Sequence, residues 1–307
     1  MIRTARSITG NLTEKCQVCV IGSGAGGAVV AAELAEAGYD VLILEEGGYH
    51  RTTTFSHDPL RMLPKLYRNA GGDSTFGNPP IMFAEGRCVG GSTVINGGIC
   101  YRTPEKVLHV WSLALGTLQL LPEAMGYYFD RVEKQLHVTD VPDEIIGEDG
   151  RRMRLAAERL GYHYSRVKRN IYACQGTNQC IMGCPTGAKQ STLVTYIPRA
   201  RQAGARIIAN CKAQKLLLNG DRVTGVSSQI VDPITGKALH DVNISAETVF
   251  LAAGALQTPA LLYRSKIADK LKSVGKTLFM HPNTKCIGVF DEEIHGWQGS
   301  IQGFQID

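Results

Sequence analysis

Three glycines and one glutamate have the types and spacing to do recognisable chemistry. Gly22-Ser23-Gly24-Ala25-Gly26-Gly27 spells G-x-G-x-x-G. In such a turn Gly22 makes the tight bend, Gly24 admits a pyrophosphate against the backbone, and Gly27 lets helix and strand pack closely. A helix starting there offers phosphates its unpaired N–H groups and a partial positive charge. Glu45 follows at about 20 residues, the distance at which an acid hydrogen-bonds a ribose hydroxyl. With no arginine beside it to meet a ribose phosphate, that acid suits NAD or FAD better than NADP.

The flanking residues form the elements such a turn requires. Val18, Val20 and Ile21 make an apolar strand, Ala28 to Ala37 supply helix formers, and Val41 to Leu44 make a second strand ending at Glu45. Val18 to Ala32 carries no charge and could be read instead as an apolar helix or membrane span. Six adjacent loop formers, and a run short of the roughly 20 apolar residues a span needs, oppose that reading.

With 307 residues, 44% hydrophobic and 20% charged, the chain is a globular protein with room for two domains. Its net charge of +5 is modest, and no basic run has interleaved aromatics, so nucleic acid is not indicated. The N-terminus, MIRTARSITGNLTEK, lacks the apolar core of a signal peptide. Together with the odd count of nine cysteines, this makes the cytoplasm the expected location, with no transmembrane segment.

Residues 50–85 read as irregular cover over a ligand, turn-prone at Asn69 to Asp73 and Gly77 to Pro80. A second glycine-rich block, Gly86-Arg87-Cys88-Val89-Gly90-Gly91-Ser92-Thr93-Val94-Ile95-Asn96-Gly97-Gly98, follows. Such density lets backbone lie against a planar ligand. Helices are expected over Pro104 to Leu115, Pro122 to Leu136 and Arg151 to Leu160, forming an insertion over 104–189. Thr192 to Arg201 resumes helix. A strand at Arg206 to Asn210 precedes a hairpin of Lys212 to Leu218 and Arg222 to Val231, turning at Asn219-Gly220. Val249 to Ala255 reads as a buried strand breaking into a small-residue turn, and Leu256 to Tyr263 as a short helix. A new pattern starts at His281 and stops at Asp307.

With these pieces in order, the chain resembles the N-terminal part of a glucose–methanol–choline (GMC) oxidoreductase. Three blocks carry the resemblance: GSGAGG with Glu45, GRCVGGSTVING at Gly86 to Gly97, and LAAGALQTPALLYRSKI at Leu251 to Ile267. The third departs from the family at Ser265-Lys266-Ile267-Ala268, where members read Ser-Gly-Ile-Gly, and the second departs at Cys100. The resemblance implies an α/β fold. An FAD-binding Rossmann-like domain of the ββα type would comprise 1–103 and 190–280, with the helical insertion over 104–189. A mainly antiparallel substrate domain would begin at 281–307.

It further implies FAD, with its pyrophosphate at Gly22, Gly24 and Gly27 and its adenosine ribose on Glu45. Arg87, Gly90, Gly91 and Ser92 would lie near the pyrophosphate and ribityl chain, and Asn96, Gly97 and Gly98 near the flavin. Ala213 would approach the adenine, and Ala253 and Gly254 the dinucleotide again. Some members tether the flavin through a histidine in the second block; Val94-Ile95-Asn96 has none, so the FAD is expected to be non-covalent. Family chemistry moves a hydride from an alcohol carbon to flavin N5 while a histidine takes the hydroxyl proton, a base such a weakly acidic hydroxyl needs. That histidine lies near the family's C-terminal end. The expectation is therefore an N-terminal fragment with no catalytic residue among its eight histidines, the base lying beyond Asp307. His281 is read as structural.

Cys16 and Cys19 spell C-x-x-C, but residues three apart on a strand point to opposite faces. They are expected to diverge as buried hydrophobes. Cys174, Cys180 and Cys184 could ligate an iron–sulfur cluster, with a fourth ligand from elsewhere, or could simply shape a loop, the favoured reading. Two other functions compete with an FAD-dependent alcohol oxidoreductase. One is a catalytically inactive FAD-binding fragment; the other is a NAD-linked dehydrogenase, which leaves the second glycine block unexplained.

Overall fold

The computed structural model describes residues 1–281 and 284–306. Their chain divides into two compact units, 1–95 with 192–289, and 96–191 with 290–307. The division falls at Ile95 and Ser191, and 290–307 belongs with 96–191. Among the described residues no helix is long and apolar enough to cross a membrane.

The first unit is built on a seven-stranded sheet of β1 (Ile2–Arg3), β2 (Leu12–Ile21), β3 (Val41–Glu45), β4 (Arg206–Ala209), β5 (Cys211–Asn219), β6 (Arg222–Val231) and β7 (Ala238–Leu251). Its spatial order is β1-β4-β3-β2-β7-β6-β5. The five strands from β1 to β7 pair in parallel, and β7-β6-β5 form an antiparallel meander. Ile21 sits opposite Leu44 and Leu251, and Glu45 opposite Ala209. The carboxyl ends of four parallel strands thus share one edge, where open α/β sheets bind their ligands.

Four helices accompany the sheet: α1 (Ala25–Glu36), α2 (Pro59–Leu66), α3 (Tyr196–Gln202) and α4 (Gly254–Arg264). Gly27, Ala28, Ala31, Ala32 and Ala35 give α1 a buried face of small residues, so it can lie close to its neighbours. On its outer side Glu33 and Glu36 pair with Arg199 of α3. The α2 helix, capped by Asp58, which accepts from Leu60 N–H, lies within the stretch expected to be irregular. Its Met62 and Leu66 are buried, so apolar spacing of four residues set it even in a turn-rich segment.

Several boundaries differ from those expected. The α1 helix begins at Ala25, inside the glycine motif, because the turn itself supplies its first residues. The α3 helix begins at Tyr196, since residues 192–195 form a turn in which Thr192 is drawn into contacts described below. The hairpin turns at Gly220 and Asp221, with Asn219 paired to Arg222. The β7 strand runs through 14 residues, and its end is not buried: Phe250 is 36% exposed.

The C-x-x-C prediction fails in a specific way. Gln17 and Val18 N–H both donate to Asp40 O, at 3.1 and 3.0 Å, so two residues oppose one as in a β-bulge. The alternation slips by one residue there. Cys16 and Cys19 therefore enter the same apolar cluster, with Cys211, rather than diverging. The Cys19 thiol is pushed well up by its hydrogen bond with Cys16 and then by burial, and burial pushes Cys211 up to about 12.

The second unit holds three helices, Glu105–Leu115, Pro122–Gln135 and Glu148–Leu160. Glycines 116 and 161, at φ +62° and +70°, end the first and third in left-handed caps. Two short antiparallel pairs join Val138–Asp140 to Lys168–Asn170 and Tyr164–Arg166 to Phe304–Ile306. A small core gathers Val141, Ile146 and Phe304.

Candidate cofactor site

The glycine turn of the first unit joins β2 to α1 at the carboxyl edge of the sheet. Gly22 holds φ +101°, and a Cβ there would lie 2.3 Å from Ala252 O. A Cβ on Gly27 would lie 2.0 Å from Gly22 O. Both glycines are therefore demanded by the protein's own packing. Gly24 is different: its Cβ would meet only Gly91 Cα, at 3.9 Å. Ala25 and Gly26 are exposed, so the turn presents an open cradle of backbone.

Gly24 caps α1 without a side chain, and no acid occupies the helix's first turn. The first N–H groups of a helix have no intrahelical acceptor. Here they combine with a positive dipole end that nothing in the helix neutralises, an arrangement suited to a diphosphate.

Glu45 lies below this turn, 6% exposed. Its Oε2 accepts from Ser23 N–H at 3.0 Å and Ser23 Oγ at 2.6 Å, while Oε1 accepts from Gly47 N–H at 2.9 Å. Burial raises its carboxyl above the ordinary value, and those three hydrogen bonds partly offset the rise. A carboxylate has about four acceptor positions, so one is left for a further donor.

The second glycine block runs backbone to backbone against the first. A Cβ on Gly91 would come within 2.9 Å of Gly24 Cα, and one on Gly47 within 2.1 Å of Arg87 C. Hydroxyls fasten the contact. Ser23 Oγ accepts from Gly90 N–H at 3.0 Å, and Thr93 Oγ1 donates to Gly90 O at 2.6 Å. Thr192 Oγ1 lies 3.2 Å from Ser23 O and 3.1 Å from Gly90 O, while its N–H donates to Thr93 Oγ1. Ser92 Oγ accepts from Gly86 N–H.

Glu46 was passed over in the sequence, although its position beside Glu45 was visible. It takes both terminal nitrogens of Arg68, at 3.0 and 3.1 Å, and Arg87 Nε at 3.1 Å, with Lys212 at 3.8 Å. Burial alone would raise its carboxyl; Arg68 above all, then Lys212 and Arg87, hold it below the usual range. Arg68 reaches Glu85 as well, and Gln257 of α4 donates to the same carboxylate.

The structure therefore brings together Gly22, Gly24, Gly27, Glu45, Arg87, Gly90, Gly91 and Ser92. Ala253, the N-cap of α4, follows Ala252, against which Gly22 packs, and Gly254 holds φ +83°. Ala213 lies in β5, where its carbonyl accepts from Arg264 Nη2 at 3.3 Å. Besides Glu46, sequence reading missed Ser23, Thr93 and Thr192, because an isolated hydroxyl carries no pattern.

Asn96, Gly97 and Gly98 belong to the second unit. Arg169 donates to Gly97 O from Nε and Nη2, at 3.1 and 2.6 Å, and Lys189 Nζ donates to Asn96 O at 2.7 Å. Gly98 holds φ +76°, with Asn170 Oδ1 only 2.7 Å from where a Cβ would be. Cys174, Cys180 and Cys184 line one cavity of this unit. Among the described residues no three His, Cys, Asp or Glu side chains are grouped to hold a metal. The Cys180 sulfur accepts from Arg169 instead.

The family model described as GMC oxidoreductase matches residues 63–283, and one described as NAD(P)-binding Rossmann-like domain matches residues 20–61. The chain belongs to the GMC oxidoreductase family. Its cofactor-binding fold is thus the one the glycine blocks implied, and the family's cofactor is FAD. An uncharacterised GMC-type oxidoreductase of Mycobacterium tuberculosis is 38% identical over 94% of this chain and 45% of its own length. A long-chain-alcohol oxidase of Arabidopsis thaliana is 32% identical over 91% of this chain and 38% of its own length. The chain thus spans about half the length, or less, of the curated relatives it matches. Pyridoxine 4-oxidase from Mesorbium loti shares the fold, with a TM-score of 0.63 at 19% identity over 85% of this chain and 54% of that one. A fungal aryl-alcohol oxidase does so with a TM-score of 0.62 at 16% identity, over 83% of this chain and 49% of that one.

Proposed function

We propose that this GMC chain binds FAD non-covalently and serves an oxidoreductase acting on the CH–OH group of an alcohol. The observation that carries the reading is Gly24: a helix N-terminus with no side-chain cap, where a Cβ would meet only Gly91 Cα, at 3.9 Å. In this reading the first N–H groups of α1 hold the diphosphate. Glu45 gives its remaining acceptor position to the adenosine ribose while its other bonds hold the turn in shape. Arg87, Gly90, Gly91 and Ser92 form the second wall, and Ala213, Ala253 and Gly254 approach the adenine and diphosphate through their backbone. Asn96, Gly97 and Gly98 are proposed to lie along the flavin ring on the motif resemblance alone. Bound FAD would supply the hydride acceptor, N5.

Relatives named long-chain-alcohol oxidases support an alcohol as substrate and make a long-chain primary alcohol the first to try. The test is direct. Protein mixed with excess FAD and desalted should stay yellow and release intact FAD on denaturation. Anaerobic addition of the alcohol should then bleach the flavin bands. Colourless protein after desalting would refute the binding proposal; retained colour without bleaching by any alcohol would favour a binding chain without turnover.

A further inference from the structure

Three successive peptides in the second unit have their carbonyls held and their N–H groups left open. Lys189 Nζ donates to Asn96 O at 2.7 Å, and Arg169 donates to Gly97 O from Nε and Nη2 at 3.1 and 2.6 Å. Asn170 N–H donates to Gly98 O at 3.1 Å. Among the described residues no acceptor takes the N–H of Gly97, Gly98 or Ile99. Gly98 is buried, and a buried N–H left without an acceptor is rare in a native fold.

Two of the three groups holding these carbonyls are buried cations: Arg169 is 0% exposed and Lys189 2%. Among the described residues no carboxylate pairs with Arg169, whose other contacts are Ser300 Oγ and Cys180 Sγ. Lys189 Nζ also donates to Cys180 O at 2.6 Å. Fixing a loop does not call for charge, since a neutral N–H such as that of Asn170 holds a carbonyl at lower desolvation cost. What a cation adds is polarisation. A donor on a peptide oxygen strengthens the N–H of the same peptide, and a charged donor does so most. These peptides are trans, so each N–H points away from the group that holds its carbonyl. Gly97 and Gly98 therefore carry two strengthened donors, directed away from Lys189 and Arg169 respectively.

We infer that Arg169 and Lys189 are positioning residues that raise the reduction potential of the bound flavin, acting through the N–H groups of Gly97 and Gly98. The inference rests on the proposed placement of residues 96–98 along the ring. A flavin ring has two carbonyls on one edge, and that edge gains negative charge on reduction. N–H donors fixed there, and polarised beforehand by buried cations, favour the reduced form without reorganising. Burial keeps water from screening the two charges, so their effect carries through the peptides they hold.

Two measurements on the full chain test this. The first follows residue-resolved amide exchange by NMR in the parent protein, with and without FAD, and needs no variant. Exchange at Gly97 and Gly98 should slow roughly tenfold when FAD binds, about the worth of one hydrogen bond. The second is the midpoint potential of the bound FAD. Lys189→Met and Arg169→Met each remove a charge and should shift the reduction equilibrium roughly tenfold toward the oxidised form, about 30 mV for a two-electron couple. Arg169→Lys keeps the charge and should stay near the parent's potential. Methionine variants that hold flavin at the parent's potential would overturn the assignment. So would a parent that holds FAD while Gly97 and Gly98 exchange as fast as in the FAD-free chain; in both cases flavin binding itself stands. A parent that retains no flavin would overturn the placement along the ring and this inference together.

Discussion

Gly24 and Gly91 meet through their Cα atoms: a Cβ on Gly91 would stand 2.9 Å from Gly24 Cα, whereas one on Gly24 would stand 3.9 Å from Gly91 Cα. Two glycine blocks, with 58 residues between them (28–85), are thus pressed together from one side only. The asymmetry divides the motif's glycines into those the fold requires and one that it does not.

The first prediction follows from that division. Gly24→Val should fold with a melting temperature close to the parent's, measured without cofactor, yet lose FAD binding, since its side chain would occupy the phosphate cradle. Gly27→Ala should instead lose about 3 kcal/mol or more of stability in urea melts, because the clash is with backbone that cannot step aside. Equal stability losses for both would mean that Gly24 serves packing as well.

Thr192 tests the fastening of the two blocks. Replacing it with valine keeps the shape and removes the hydroxyl shared by Ser23 O, Gly90 O and Thr93. Gly90 O keeps its bond from Thr93 Oγ1, and one buried acceptor left without a donor, here Ser23 O, costs about 1–3 kcal/mol. Thr192→Val should therefore fall in that range by chemical denaturation, with FAD affinity dropping in the same variant.

Gly98 offers a parallel test in the second unit. Its φ of +76° and the Asn170 Oδ1 atom 2.7 Å from a Cβ leave no place for a side chain. Gly98→Ala should cost about 1–3 kcal/mol from the strained backbone alone. Adding Asn170→Ala should recover part of the loss, measured as a double-mutant cycle on urea stability.

How much of this was legible beforehand depends on range. The Gly22 to Gly27 turn, Glu45 and the hairpin announce themselves locally, because the residues that make each feature are adjacent. The facing of Cys16 and Cys19 did not, since it depends on two N–H groups sharing Asp40 O, a carbonyl brought in by another strand. Arg169 and Lys189 look like ordinary basic residues in sequence, and only the folded loop shows them buried against Gly97 and Asn96. The start of α3 was misjudged for the same reason: Thr192 turns toward Ser23, a partner far away in the chain.

The neighbouring acids Glu45 and Glu46 should titrate in opposite senses, which gives the last prediction. Burial raises Glu45 above its ordinary 4.5. The native state then keeps a proton that the unfolded chain has lost, so this contribution to stability is full below 4.5 and fades as pH rises through the folded value. Glu46, ringed by Arg68, Lys212 and Arg87, titrates below its ordinary 4.5. Its contribution is full above 4.5 and fades as pH falls through the depressed value. Urea stabilities measured across a pH series, each taken as parent minus the glutamine variant, should therefore slope downward with rising pH for Glu45→Gln and upward for Glu46→Gln. Two slopes of the same sign would show that the two carboxylates do not experience the opposed surroundings described above, namely hydrogen-bonded burial for Glu45 and a ring of cations for Glu46.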